Sequence, residues 1–583
     1  MERIRIFDNK QFVGYVNQIT PSFVRIHFPS SNLLNKYYQD GRGLHSGILG
    51  NYVLIEGEDF GFLAKIVEVA LPEKERMSLT HEAFQKNDFH PVGRLEVLIC
   101  FDYHTHLCKK GLSQFPPVGS KVYSCSNEFL SKLLRNFGQK VQSEDNTFIN
   151  LAKLPSDGSS AINVSGQSLF SRHLAILGST GGGKSWTVAK AVEEIMKRNG
   201  KAILIDATGE YHTLAERYSG QIDHVKFNSD QENGTFLHYH NLREPDLIAM
   251  FRPSGQAQLP KLQEAVKSLR LVSLIKNKKD KTANDQSVEN FFGDANGNTI
   301  LVKAGKARIK FLAAYKENPL VFDTACNFNI QALPRQILKE CVNEFSNDEN
   351  FGAENQNIAT HCQTLISRIL LTLNNREFQS VFGFDKEDQD GCIITKIETF
   401  IKDPHKNILI VDTHRVPTDN SARDILINAL GRYLHGLAIS EKLRSSPVIV
   451  ILDEAHQFLN KRVKDEYSVE VELNSFERIA KECRKFGLFL VLATQMPRDI
   501  PLGVLSQMGT FIVHRIINQK DREAIEFACS DVNRNALSFL PVLSSGEALL
   551  TGVDFPMPII LQILPPACPP DSRTPDVFKT GSS

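Results

Sequence analysis

Apolar and polar positions along this chain follow two periods, and the switch between them divides it into parts. Over the first 150 residues the period is two. Val24, Ile26 and Phe28 alternate with Arg25 and His27, and Leu95, Val97 and Ile99 alternate with Glu96 and Leu98. Residues 53–55 and 62–67 supply further short apolar runs, and Gly41, Gly43, Gly47, Gly50 and Pro116-Pro117-Val118-Gly119 break them. Several short strands with frequent turns predict a small β-barrel or sandwich over 1–150. Residues 151–170, rich in Ser, Gly and Asn, read as a linker.

Beyond residue 170, continuous apolar runs alternate with helical patterns. Runs at 174–177, 201–205, 407–411, 447–452 and 488–493 read as buried strands. Val188, Ala189, Val192 and Ile195 mark one helix face, and helices are also predicted at about 421–439 and 475–485. Such alternation predicts an α/β fold with a parallel-rich sheet covered by helices. The last strands are expected at 510–514, 547–550 and 558–561. From about 240 to 400 the period is helical and the strand signal fades, which marks a helical insertion. The division is therefore 1–150 barrel, 151–240 first part of the core, 241–400 insertion, 401–564 second part of the core, and 565–583 an extended Pro- and Ser-rich tail. The polar stretch 461–474 reads as a loop.

Composition narrows the class. Of 583 residues, 42% are hydrophobic and 23% charged, the balance of a soluble globular chain too long for one core. Lys plus Arg and Asp plus Glu both number 67, so no overall field drives the protein onto nucleic acid. Ten cysteines are scattered without a C-x-x-C or metal-ligand spacing, as in a reducing compartment. No apolar signal core opens the chain, and no run approaches about 18 apolar residues, so a cytoplasmic protein without a membrane span is expected. His104 and His106 have no third ligand nearby and fall short of a zinc site. The run Lys267, Arg270, Lys276, Lys278, Lys279 and Lys281, extended by Lys303, Lys306, Arg308 and Lys310, reads first as a solvated surface.

The candidate chemistry lies at strand ends. Gly178-Ser179-Thr180-Gly181-Gly182-Gly183-Lys184-Ser185 follows an apolar strand, opens a helix and matches the P-loop pattern without a mismatch. Glycines let successive N–H groups close around phosphate oxygens, and the helix N-terminus adds positive potential. Lys184 is expected on the β- and γ-phosphates of ATP and Ser185 on Mg²⁺; Trp186 joins the nucleotide-binding set. Asp206 and Glu210 fall just past the next strand, where ligands of parallel sheets sit. Asp453 and Glu454 end the 447–452 strand: Asp453 is expected to accept from Mg²⁺-bound water, and Glu454 to act as general base for the attacking water. Gln495, at the end of the 488–493 strand, is placed to bond the γ-phosphate or its water.

Taken together, Arg172-His-Leu-Ala-Ile-Leu-Gly-Ser-Thr-Gly-Gly-Gly-Lys-Ser185, Asp206-x-x-Gly209-Glu210-Tyr211, Leu452-Asp-Glu-Ala-His456, and Arg484-Lys-Phe-Gly487 through Ala493-Thr-Gln-Met-Pro497 resemble HerA, of the HerA/FtsK group of hexameric P-loop ATPases. The resemblance implies an N-terminal barrel like that of rotary ATP synthase subunits, then a RecA-like core interrupted by helices. It further implies a hexameric ring with ATP between subunits, double-stranded DNA in the channel, and an arginine acting from the neighbouring subunit, with Arg172 and then Arg484 as candidates. HerA relatives work with a nuclease or, in antiphage defence, with a nuclease or sirtuin-like NADase; this chain carries no motif of either, so that activity is expected from a separate effector protein. Two departures are visible: Gly181 and Gly182 precede Gly183 where many relatives have Gly-Ser-Gly, and Met496 stands where relatives often carry Arg.

The expectation is a Mg-ATP-dependent translocase on duplex DNA, with Lys461, Arg462 and Lys464 as candidate phosphate contacts. The competing reading is an assembly ATPase whose ring binds and switches an effector with little DNA movement. A conjugation or secretion pump is a third and weaker reading.

Overall fold

The computed structural model describes residues 7–30, 36–39, 42–45, 49–72, 90–103, 108–109, 114–134, 148–155, 161–227, 234–295, 297–343, 349–386, 390–459, 461–463, 470–529 and 534–572. His104, His106, Lys464 and the tail beyond 572 lie outside these. The chain divides into two compact units, 1–199 with 489–569 and 200–488 with 570–583.

The first unit opens with the antiparallel barrel. Around it the strands run in the order Val24–His27, Phe12–Ile19, Lys121–Ser124, Tyr52–Glu56, Phe60–Ala70 and Val92–Asp102, and Val24–His27 closes the ring on Val92–Asp102 through Val24↔Leu95 and Ile26↔Gly93. Closure removes the exposed edges that a sandwich would keep. The alternating apolar set points inward: Val13, Val24, Ile26, Phe28, Val53, Ile55, Ala64, Ile66, Leu95 and Val122 are fully buried in one cluster. A Cβ at Gly14 would lie 2.2 Å from the His27 carbonyl oxygen, so only glycine lets these strands close.

Residues 151–170 are not a linker. Strands Phe148–Lys153 and Ala161–Ser165 pair antiparallel, and helix Gly166–Phe170 follows, capped by Ser165 accepting from the Ser168 N–H at 3.3 Å. The composition misled because the Ser- and Gly-rich residues concentrate at 156–160. Ile149, Leu151, Ile162 and Val164 on the flanking strands are buried. The sheet of this unit then runs Ala161–Ser165, Phe148–Lys153, Ile559–Ile563, Glu547–Gly552, Thr510–Val513, Leu174–Leu177, Leu488–Thr494. Its last three strands are parallel, so Leu174–Leu177 sits between two parallel neighbours, and both it and Thr510–Val513 are buried at every position. The start of the tail is held by the chain itself: the N–H groups of Ala567 and Cys568 donate to buried Glu193 at 3.0 and 2.8 Å. Lys65 of the barrel stands 3.9 Å from the Phe539 ring, and burial lowers its ammonium to about 8 despite Glu96 nearby.

The second unit carries four parallel strands in the order Val448–Leu452, Lys201–Asp206, Ile408–Asp412, Ile222–Lys226. Ile408–Asp412 is buried at every position, as a strand covered on both faces must be. The 241–400 region is chiefly helical, led by Gln258–Asn277, Arg308–Glu317 and Gln356–Asn374, but it also contains the hairpin Phe292–Ala295/Asn298–Leu301. Its own core joins Leu271, Ile275, Val288, Leu301, Phe311 and Val321. The stretch expected as a loop at 461–474 contains a second short hairpin, Lys461–Val463 with Val471–Leu473. Val471 and Leu473 are buried on either side of exposed Glu472, a two-residue alternation too short to stand out in the sequence.

Candidate functional site: a phosphate cradle and an acidic sheet edge

The cradle belongs to the first unit. After Leu174–Leu177 the chain turns through Gly178–Gly183 into helix Lys184–Lys197. Two glycines are required for different reasons. A Cβ on Gly178 would meet the His514 Cβ at 2.6 Å, whereas Gly183 caps the helix at φ +112°, a backbone that other residues rarely adopt. The Ser179 N–H and hydroxyl both donate to the Arg515 carbonyl at 2.9 Å, tying the loop to the end of Thr510–Val513. Thr180 donates to the Gln495 amide oxygen at 2.6 Å. No side chain caps the helix start, so its first N–H groups face the loop without a capping partner. That arrangement fits a phosphate: donors converge at a helix N-terminus beside buried Lys184. Ser185 is half-buried one residue on, and Trp186 is 41% exposed on the outer face of the helix.

His514 underpins the cradle, and the sequence reading missed it. Its ring is buried, with Nδ1 2.9 Å from the Glu547 carbonyl and Nε2 2.8 Å from the Thr187 hydroxyl. A carbonyl only accepts, so Nδ1 carries the proton; Nε2 then accepts from Thr187 when the ring is neutral. Burial lowers its pKa to about 4, with nearby Lys184 adding to the effect, so the ring is neutral at pH 7. In the sequence, His514 is one histidine after an apolar run, and nothing in its spacing points to the loop.

The acidic edge belongs to the second unit, at the carboxyl ends of its strands. Asp453 is 2% exposed, and its N–H donates to the Ile205 carbonyl at 3.2 Å, which fixes it beside the neighbouring strand. Glu454 follows in the left-handed region, φ +47° and ψ +47°, and the turn Ala455–Gln457 brings His456 Nδ1 to 3.2 Å from Glu454 Oε2. Asp206, expected at the nucleotide, turns its carboxylate onto its own loop. It accepts from the N–H groups of Thr208, Gly209 and Tyr211 at 3.0, 2.7 and 3.1 Å. Burial still raises its pKa against those bonds. Glu210, half-buried in the same turn, receives the Asp571 N–H on its carbonyl at 2.9 Å. Asp412, paired in register with Asp206, was not anticipated. It takes His414 Nδ1 at 2.6 Å and lies 3.5 Å from His224 Nε2. Burial works to raise it, but the two imidazoles prevail and hold it down at about 2.

The arginine candidates differ. Arg172 Nε is 2.5 Å from Asp554, itself 6% exposed, so it is committed within its own unit. Arg484 is exposed at the start of the short turn Arg484–Phe486. A Cβ on Gly487 would lie 2.2 Å from the Leu443 carbonyl, which explains the glycine that closes this turn. Part of the basic run of the insertion is answered internally: Lys278 pairs with Asp285 at 2.7 Å, Lys281 with Glu289 at 2.5 Å, Lys303 with buried Glu340 at 2.5 Å, and Arg270 with Glu244 at 3.3 Å. Among the described residues no group of acidic, histidine and cysteine side chains forms a ready metal cage, and no helix is long and apolar enough to cross a membrane.

Two family profiles match in succession, "Helicase HerA, central domain" over 149–317 and "Helicase HerA-like C-terminal" over 319–577. A probable helicase of Methanocaldococcus jannaschii, MJECL08, is 26% identical over 466 residues, 76% of this chain and 74% of its own. The probable DNA double-strand break repair helicase HerA of the same organism is 26% identical over 426 residues, 71% and 76% of the two chains. Among solved structures, VirB4 of Thermoanaerobacter pseudethanolicus aligns over 72% of this chain and 97% of that one, with TM-score 0.43 and 13% identity. With a P-loop, an acidic strand end and HerA profiles running through both, the chain belongs to the HerA-like P-loop ATPases.

Proposed function

We propose that this protein is a Mg-ATP-driven motor that moves along double-stranded DNA as a homo-oligomeric ring, six subunits being the number the resemblance implies. The observation that carries the proposal is the glycine cradle with an uncapped helix start beside buried Lys184. In this reading the loop N–H groups and Lys184 hold the β- and γ-phosphates, Ser185 and Asp453 hold Mg²⁺, and Gln495 orients the attacking water or γ-phosphate. Glu454 accepts the proton as water attacks. Magnesium, when bound, neutralises phosphate charge. Arg484 is the stronger candidate for action from a neighbouring subunit, because Arg172 is already paired with Asp554. Trp186 and Glu210 remain part of the proposed nucleotide set. Lys461 and Arg462 lie on the first strand of the hairpin that follows the acidic edge, and in a ring their charges would be repeated around the channel. A separate nuclease or NAD-hydrolysing effector in the cytoplasm completes the proposal.

One observation favours the rival reading, a scaffold ATPase that switches an effector: Arg270, Lys278, Lys281 and Lys303 of the insertion's basic run are paired with carboxylates inside the insertion rather than left for phosphate. The test is the ATPase rate with linear duplex DNA of increasing length, at several salt concentrations. A motor is stimulated in proportion to length and loses the stimulation with salt. A scaffold responds to its protein partner alone.

A further inference from the structure

We infer that Trp186 is the nucleobase platform of the ATP site, its indole stacking on the adenine of a nucleotide whose phosphates lie in the cradle. The inference rests on reading the cradle as a nucleotide site and adds what holds the other end of the ligand. Helix Lys184–Lys197 is enclosed along most of its length: every residue from Thr187 to Met196 is buried, the polar Lys190, Glu193 and Glu194 included. A helix so enclosed is open only at its ends. At the N-terminal end Ser185 is half-buried and Trp186 is 41% exposed, and in the loop before them a Cβ added to Gly181 would meet nothing within 4 Å. The first turn and the loop tip are the free surface of the cradle.

A single exposed apolar side chain is ordinary on a protein surface. This one is set apart by its kind and its place. It is the one tryptophan in 583 residues, and among the described residues its ring meets no other aromatic ring and no cation. Cα–Cβ bonds of a helix tilt towards the N-terminus, so a first-turn side chain covers ground N-terminal to its own Cα, which here is the mouth of the loop. In a P-loop the backbone N–H groups take the α- and β-phosphates while the lysine reaches the β- and γ-phosphates. The adenosine hangs from the α-phosphate, at the end away from the γ-phosphate, and must leave the cradle on its open side. A broad, flat indole at that opening can cover one face of the base, and such stacking needs no hydrogen-bond register.

Because the chain has a single tryptophan, the intrinsic emission of the full-length protein reports Trp186 alone. Emission is followed during titration with Mg-ADP and, separately, with Mg-tripolyphosphate, which offers phosphates without a base. Calorimetry gives both Kd values for wild type, Trp186→Ala and Trp186→Phe. Mg-ADP should quench the emission, and Mg-tripolyphosphate, competing for the same cradle, should restore it. Trp186→Ala should weaken Mg-ADP by about tenfold and tripolyphosphate by less than about twofold, and Trp186→Phe, which keeps a ring, should recover several-fold of the loss. An equal emission response to the two ligands would overturn the inference. So would a Trp186→Ala protein that loses both ligands equally, which would make the ring a support of the loop, or one that binds both as wild type does. A Trp186→Phe protein no tighter than Trp186→Ala would also count against it. Emission that follows protein concentration and ignores Mg-ADP would overturn it by placing a neighbouring subunit on the ring. Wild-type protein that binds neither ligand would overturn the cradle assignment itself, and that outcome is distinct because calorimetry would then be silent for both.

Discussion

The phosphate cradle and the acidic edge are built by opposite means. In the cradle, backbone does the shaping: Gly178 yields to His514, Gly183 takes φ +112°, and the helix start is left uncapped. At the acidic edge, side chains do it. Four carboxylates end neighbouring strands, and their partners separate them: Asp206 is spent on its own turn, Asp412 on two imidazoles, and Glu454 lies 3.2 Å from the His456 ring, while Asp453 is tied through its backbone. A backbone demand leaves a mark in the sequence, because only glycine meets it. A side-chain partnership across the sheet leaves none.

The sharpest way to break this contrast is to remove one chemical group from each region. Lys184→Ala should abolish detectable ATP binding and hydrolysis. Glu454→Gln should keep Mg-ATP binding within a few-fold while hydrolysis falls by about 100- to 10,000-fold. Equilibrium binding and single-turnover hydrolysis on the two variants separate these outcomes, and equal loss of binding in both would erase the distinction. Next in size, Gly178→Ala should weaken ATP at least about tenfold, since its methyl must displace His514. Gly220→Ala meets nothing within 4 Å, has no left-handed backbone, and is the matched control.

Acid should attack the two regions in different windows. His514 has a folded pKa of about 4, below its ordinary 6.5, so the unfolded chain binds the extra proton between those values. Its contribution is complete above pH 6.5 and is lost as pH falls towards 4, by about 3 kcal/mol at most. His514→Gln should flatten the pH dependence of unfolding in that window. Asp412 sits at about 2 against an ordinary 3.8. Its contribution is present above pH 4 and is lost as pH falls towards 2, at about 2 kcal/mol, and Asp412→Asn should remove it. Denaturant melts across pH 2–7 on both variants check the assignment; exchanged windows would refute it. The smallest effect is expected at Thr180→Val, which removes the 2.6 Å bond to Gln495 from an exposed position and should raise KM for ATP by no more than a few-fold.

Much of this was legible in advance. The P-loop, the acidic pair and the parallel strands could be read because continuous apolar runs, obligatory glycines and strand-end acids are local features. The barrel's closure was not, since a pairing such as Val24↔Leu95 joins residues that no local pattern connects. The pairing of Phe148–Lys153 with Ala161–Ser165 was obscured by composition, with the Ser and Gly of 156–160 outweighing the buried alternation of Ile149, Leu151, Ile162 and Val164. His514, Asp412 and the Arg172–Asp554 pair depend on contacts across the fold, and their residue types alone said nothing of them.

The central claim, that nucleotide turnover drives movement on DNA, is tested most directly by ATPase rates on linear duplexes of increasing length, with Glu454→Gln as the blank. The account predicts stimulation that grows with length and disappears as salt rises. A rate indifferent to DNA at every length, in a protein that otherwise hydrolyses ATP, would contradict it.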